Sequence, residues 1–390
     1  MKDIRTAARM ASIAAFEVME IQTLARAREA AGADVIHLEI GEPDFRTPAP
    51  IVEAAKRALD AVPMNYTSAL GIPPLREAIA RFYRDRYGVA VPAERVVVTA
   101  GSSAALLLAF GVLLDAGDEV LLADPGYPCN RHFAIALGGV PRAVPVGPAS
   151  RYQLTPEIAR AAWTPRTRVA MVASPANPTG TLVTPGEVAG LAALAREKGA
   201  TLLVDEIYHG LTYGLDARTA LEAGDDVFVV NSFSKYFQMT GWRLGWMVVP
   251  QPFVREIEKL AQNLYISPST LAQHAALAAF QPGTIAILEE RRRELAERRD
   301  YLLPALASLG FGIPVQPEGA FYVYADSSRL APDSFALARR ALAEAGVAFT
   351  PGRDFGAHEP ERHIRIAYTQ PVARLQEAVA RLRRLLAGGT

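Results

Sequence analysis

The chain has 390 residues, half of them hydrophobic and 21% charged, which is the composition of a globular protein of two to three domains and excludes a disordered one. Its 41 basic and 41 acidic residues cancel, so no charge excess points to nucleic acid or to an anionic lipid surface. One cysteine, Cys129, excludes an internal disulfide framework and an all-cysteine metal site, and the six histidines show no metal-ligand spacing, so no metal is expected.

In chain order, residues 5–31 carry Ala, Ile, Met and Leu at helical spacing and predict one helix. Asp3, Arg5 and Arg9, with Glu17 breaking the apolar run, do not make a secretory signal, so the expected setting is cytoplasmic. Gly41-Glu-Pro-Asp-Phe45 reads as a turn or extended crossing, and 51–59 and 74–87 as amphipathic helices. From residue 95 short apolar strands (95–99, 119–123, 140–146, 168–173, 201–205, 227–231, 244–249) alternate with helices (104–114, 130–137, 185–198). That alternation predicts an α/β fold with a mostly parallel sheet covered by helices on both faces. Residues 104–114 are the longest apolar stretch, too short to cross a bilayer, so no membrane partner is expected.

Helices follow at 251–264, 270–280 and 284–303, the last carrying Glu-Glu-Arg-Arg-Arg (289–293), which reads as a solvated helix face. Strands at 320–325, 347–350 and 363–367, with helices at 334–345 and 371–386, predict a smaller α+β domain. The expected division is a large domain over 47–283 and a small, discontinuous one from 1–46 with 284–390.

Several signatures are absent: there is no Gly-Lys dipeptide for a Walker A loop, no Gly-x-Gly-x-x-Gly after a strand and no Gly-x-Ser-x-Gly elbow. What remains is polar residues at the ends of apolar strands, where open α/β sheets bind ligands. Gly101-Ser102-Ser103 opens a helix and suits either a phosphate or plain serine capping. Asp205 closes Thr-Leu-Leu-Val-Asp, as a site carboxylate or as an internal cap or ion-pair partner. Ser-Pro-Ala-Asn-Pro-Thr-Gly (174–180) is a rigid turn able to aim the Asn177 amide.

Asn-Ser-Phe-Ser-Lys-Tyr-Phe (231–237) is the most specific feature. Lys235 follows an apolar strand with no acid within four residues on either side, unlike the other four lysines (Lys2, Lys56, Lys198, Lys259), which stand in polar or acidic segments. A desolvated, unpaired lysine has a lowered pKa and forms Schiff bases with carbonyl compounds. Thr-Gly-Trp-Arg-Leu-Gly-Trp (240–246) places Arg243 near the same strand.

A phosphate cradle, a carboxylate, an aimed amide, a reactive lysine and an arginine in this order resemble a fold-type-I, class I/II aminotransferase. The likeness runs from Gly41-Glu-Pro-Asp to His-Ile-Arg-Ile-Ala-Tyr (363–368), and the series NPTG, DEIY, SFSKxxxxxGWRLGW is its specific part. The resemblance implies pyridoxal 5'-phosphate (PLP) as cofactor and amino-group transfer from an α-amino acid to a 2-oxo acid by a ping-pong mechanism, through an aldimine on Lys235. It implies that Asp205 pairs with the pyridine nitrogen and that Asn177 and Tyr208 bond the ring oxygen. Tyr127 is expected to stack on the ring, with Gly101, Ser102, Ser103, Ser232, Ser234 and Arg243 around the phosphate. Tyr66 is expected to reach the phosphate of a neighbouring subunit, hence a homodimer with shared sites. Arg365 and Gly41 match the positions that face the substrate α-carboxylate.

Some aspartate-using relatives carry a lysine in the glycine-serine turn, where this chain has Ser102, and no second arginine is obvious for a side-chain carboxylate. Neutral, apolar or aromatic donors are therefore expected, with Ile13, Phe16 and Val18 as candidate pocket walls. Arg131, near Tyr127, is either a surface residue or a cation that swings in for a dicarboxylate, and Cys129 reads as a small buried neighbour of the site. Two other readings share the motifs: a C–S β-lyase or other PLP chemistry, and a non-enzymatic regulator, for which the neutral charge and the short N-terminal segment leave little room.

Overall fold

The computed structural model describes residues 5–388; the ends of the expected small domain, 1–4 and 389–390, lie outside them. Where one helix was expected over 5–31, only α1 (Glu17–Ala30) forms as an α-helix. Residues Ala8–Ser12 make a 3-10 turn that buries no side chain, so nothing stabilises a longer helix there. After β1 (Ile36–His37) come α2 (Ala49–Ala61) and α3 (Pro73–Tyr87). Both open with proline in the first turn, where its missing N–H costs nothing.

The next elements are β2 (Val96–Thr99), α4 (Gly101–Leu113), β3 (Glu119–Asp124), α5 (Pro128–Ala136) and β4 (Val140–Pro145). Then come α6 (Pro156–Ala162), β5 (Thr167–Ala173), α7 (Pro185–Glu197), β6 (Thr201–Asp205), β7 (Phe228–Ser232) and β8 (Gly245–Val248). The seven strands form one sheet in the order β2-β8-β7-β6-β5-β3-β4. β3 to β7 run parallel, and β8 is antiparallel to both neighbours. Successive side chains of every strand but β4 enter two separate cores, Val96 and Val98 one and Val97 the other, whereas edge strand β4 buries only Val144. Both faces are therefore covered, which is why these strands read as unbroken apolar runs.

The rest of the chain gives α8 (Val254–Leu264), α9 (Thr270–Ala276), α10 (Pro282–Ser308), β9 (Tyr322–Asp326), α11 (Ser334–Arg340), β10 (Val347–Ala348), β11 (Thr350–Pro351), β12 (His363–Ala367) and α12 (Val372–Ala387). β11, β12 and β9 make a small antiparallel sheet, and β1 pairs with β10. The charge run at 289–293 is solvated only in part: Glu290 and Arg293 are exposed, but the other three hold partners. Glu289 accepts from the Tyr236 hydroxyl at 2.6 Å, Arg291 donates to the Arg46 carbonyl at 2.7 Å, and Arg292 to the Thr212 carbonyl at 3.0 Å. It fastens α10 to the chain around the large sheet. No helix among the described residues is long and apolar enough to cross a membrane.

Candidate active site

The parallel strands end at one edge, and the polar residues singled out above lie there. A cavity of about 340 Å³ opens between that edge, the residue 39–42 crossing, the start of α1 and the small sheet. Lys235 follows β7 by three residues and lines the cavity. Its Nζ donates to the Gly41 carbonyl at 2.6 Å, a neutral partner. Burial lowers its ammonium to about 8, because the lost hydration outweighs the attraction of Glu42 and Asp205, neither of which bonds it.

Asp205 is the last residue of β6 and is buried. Among the described residues its carboxylate accepts one hydrogen bond, from the Ile207 amide at 3.0 Å. Burial pushes it up to about 6, the signature of a carboxylate without a cation in contact. Asn177 comes from the turn after β5, and the Tyr208 hydroxyl lies 3.0 Å from that of Tyr322.

α4 begins under the cavity with no side-chain cap, so the capping role open to Ser102 and Ser103 is not taken and first-turn amides are left without a side-chain acceptor. Gly101 has φ +80°, and a Cβ there would meet Arg243 Nη2 at 2.7 Å. Gly245 is equally crowded: a Cβ would lie 2.8–2.9 Å from the backbone of Gly101, Asn231 and Ser102. Ser234 and Arg243 line the cavity. Ser232 does not; it lies behind Ser234, its Oγ 2.9 Å from the Ser234 hydroxyl and accepting the Ser234 amide at 3.0 Å.

Arg365, on β12, is buried yet bonded only to neutral groups. Nη1 donates to Asn177 Oδ1 at 3.0 Å, and Nη2 to the Glu39 carbonyl at 2.7 Å and the Thr350 hydroxyl at 3.2 Å. Nε is buried without a partner among the described residues. Tyr322 and Phe355 flank the guanidinium at 4.4 and 5.0 Å from their ring centres. Gly41 faces it: a Cβ there would stand 3.9 Å from both Nη atoms and 2.9 Å from the Tyr322 hydroxyl.

Tyr127 lines the cavity and is 38% exposed, whereas Tyr66 is 80% exposed and lies outside it in a single chain. Phe16 and Val18 line the cavity as expected and Ile13 does not, because residues 13–16 carry no helix that would turn it inward. Arg131 is half-buried, its Nη2 donating to the Asp354 carbonyl at 2.9 Å. Cys129 is partly buried beside Tyr127. Sequence reasoning missed Tyr322, Phe355 and Asp354. Tyr322 lies in an apolar run that looks like any core strand, and Asp354 and Phe355, in Pro-Gly-Arg-Asp-Phe-Gly, look like a turn.

A partly buried lysine and a buried arginine, neither in an ion pair among the described residues, face one cavity with a buried carboxylate and an uncapped helix start. Such an arrangement can hold anions at Arg365 and at the start of α4 and present an amine between them. The family model for aminotransferase class I and II matches residues 33–382, and the chain belongs to that family. It is an aminotransferase of fold type I, in a family that works with PLP.

The chain is 41% identical to valine–pyruvate aminotransferase of Mycobacterium tuberculosis, over 95% of this chain and 96% of that protein. It is 40% identical to aspartate/prephenate aminotransferase of Thermus thermophilus, over 91% and 92%. A crystal structure of an aminotransferase from Mycobacterium tuberculosis superposes with a TM-score of 0.95 at 40% identity, covering 99% of this chain and 100% of that one.

Proposed function

We propose that this chain binds PLP in the cavity at Lys235 and transfers amino groups from neutral, mainly apolar or aromatic amino acids to 2-oxo acids. The residues suit the cofactor. Asp205 is a buried carboxylate in need of a cation, which a protonated pyridine nitrogen provides. The uncapped start of α4, Ser234 and Arg243 suit a phosphate, and the crowding at Gly101 and Gly245 keeps the backbone close to it. Asn177 and Tyr208 would bond the ring oxygen, and Tyr127 would cover a ring face. When bound, PLP supplies a carbonyl carbon for the amine and a ring that accepts electrons.

The protein does the rest. Arg365 and the Gly41 backbone hold the substrate carboxylate, which orients the Cα–H bond. Lys235 Nζ, neutral over part of the physiological range, takes the Cα proton and returns it on the cofactor side. Asp205 would hold a proton on the ring nitrogen by its negative charge. The observation that carries this reading is Arg365: a buried guanidinium whose partners are all neutral requires an anion, and the cavity offers that place to a carboxylate.

The two named relatives differ in donor, and the cavity wall favours neutral side chains. The arginines and lysine that line it are Lys235, Arg243 and Arg365, each already assigned. A second carboxylate would stand poorly paired, at a cost of roughly 1–3 kcal/mol. Tyr66, with exposed Leu59, Met64, Leu264 and Ile266, supports a second copy that completes the phosphate site. The division into 47–283 and 1–46 with 284–390 is supported by sheet membership, since β2–β8 lie in the first range and all strands of the two small sheets in the second. The test is kcat/KM for aspartate, leucine, methionine and phenylalanine. The neutral three are expected to lead; a preference for aspartate above about tenfold, or 1.4 kcal/mol, contradicts the pocket assignment.

A further inference from the structure

Part of the cavity wall comes from the start of α1: Phe16, Val18 and Met19. Nothing local holds that turn. Phe16 stands at the N-cap with no side-chain bond, and the turn before it buries no residue. Its free amides are taken by a residue from the far end of the chain. Asp354 Oδ1 accepts from the Glu17 amide at 2.7 Å and Oδ2 from the Val18 amide at 2.9 Å. First-turn amides lack intrahelical partners and the helix dipole favours a negative charge beside them, so this carboxylate is an anchor.

The anchor is itself fixed to the rest of the site. Arg131 Nη2 donates to the Asp354 carbonyl at 2.9 Å. The next residue, Phe355, packs on Arg365 and accepts from the Gly126 amide at 2.8 Å, one residue before Tyr127. Asp124 Oδ2 accepts from the Ala357 amide at 2.9 Å, and a Cβ on Gly356 would collide with the Asp124 carboxylate. The loop is thus clamped between the turn that carries Tyr127 and the arginine that forms the carboxylate fork.

We propose that Asp354 is a positioning residue for substrate selection: by holding the first turn of α1 it sets where Phe16, Val18 and Met19 stand relative to Arg365, and so how large a side chain the site accepts. This rests on reading the cavity as the amino-acid site. The consequence is selective, because the methyl group of alanine extends least toward that wall, whereas leucine and phenylalanine need it in register.

The experiment compares wild type, Asp354→Asn and Asp354→Ala in the PLP-bound protein. Asp354→Asn keeps the volume and loses one acceptor; Asp354→Ala loses both. kcat/KM for leucine and phenylalanine is expected to fall about tenfold or more, while that for alanine stays within about threefold. Backbone hydrogen exchange is followed in the same proteins, with and without PLP. Residues 16–19 are expected to exchange faster in Asp354→Ala, with β6 unchanged. An equal fall for all three amino acids, or unchanged exchange at Glu17 and Val18, overturns the proposal. The exchange arm decides the anchor by itself, since a wild-type protein that turned over none of these amino acids would defeat the site reading and leave the exchange result standing for or against Asp354.

Discussion

Lys235 was legible in sequence because of what it lacks. With no acid among its neighbours, no local ion pair could hold its charge, and the structure gives Nζ only the Gly41 carbonyl. Lys235→Ala is expected to retain PLP through the phosphate and ring contacts and to lose activity by roughly two to four orders of magnitude or more, since the covalent link and the proton carrier go together. Borohydride reduction of the native protein followed by peptide mapping locates the link; a label on Lys56, Lys198 or Lys259 would sink the assignment. Only the neutral amine attacks a carbonyl, and burial brings the Lys235 ammonium down to about 8. Capture of PLP by the cofactor-free protein should therefore accelerate as pH rises through about 8, and a rate that falls over that range speaks against it.

Asp205 and Arg365 form a second pair of residue-scale expectations. If Asp205 pairs with the ring nitrogen as proposed, Asp205→Ala should cost about a hundredfold or more in the proton-removal step, with substrate affinity little changed. Near-normal turnover of Asp205→Ala would refute its role. Arg365→Lys keeps a charge but not the planar fork, so it should weaken alanine, leucine and phenylalanine alike. That uniform loss distinguishes it from Asp354, whose loss is expected to depend on side-chain size. Asp354 and Tyr322 were not legible, because their roles come from contacts between segments far apart in the chain.

At the scale of elements, the central strands were read correctly to within a residue or two because each is buried on both faces and bounded by helices. The two-residue strands β1, β10 and β11 are too short to show a period, and they exist because partner segments meet them. α6 was missed although Thr155 caps it, accepting from the Ile158 amide at 3.3 Å, and Pro156 opens it; seven residues are two turns, below what periodicity resolves. α1 was overextended because helical spacing says nothing of whether a surface awaits the helix. α4 begins at Gly101, three residues before the expected 104, so the glycine-serine turn is its first turn, and that start carries a testable demand. Gly101→Ala would put an alanine at φ +80°, costing about 1–2 kcal/mol, and would displace the Arg243 guanidinium. PLP is expected to dissociate about tenfold faster from this variant, as read by the absorbance of released cofactor; an unchanged rate would mean that the cradle lies elsewhere.

For the whole molecule, the seven-stranded and three-stranded sheets bound one cavity, and on the proposed reading each side gives what the other lacks: Lys235 and Asp205 from the ends of β7 and β6, Arg365 from β12. Tyr66 is left outside, so a second copy is expected to complete the site, with a dimer mass in solution and a weaker PLP affinity for Tyr66→Phe. The central claim is that this cavity moves an amino group and stops until an acceptor arrives. The direct measurement mixes PLP-loaded protein with leucine and no added 2-oxo acid, and counts 2-oxo acid released per site. One equivalent, followed by a halt that an added 2-oxo acid relieves, is the result this account requires. Release beyond one equivalent without an acceptor, from leucine or from cysteine tested in its place as the kind of substrate a β-eliminating lyase consumes, or no release from leucine, methionine or phenylalanine, would contradict it.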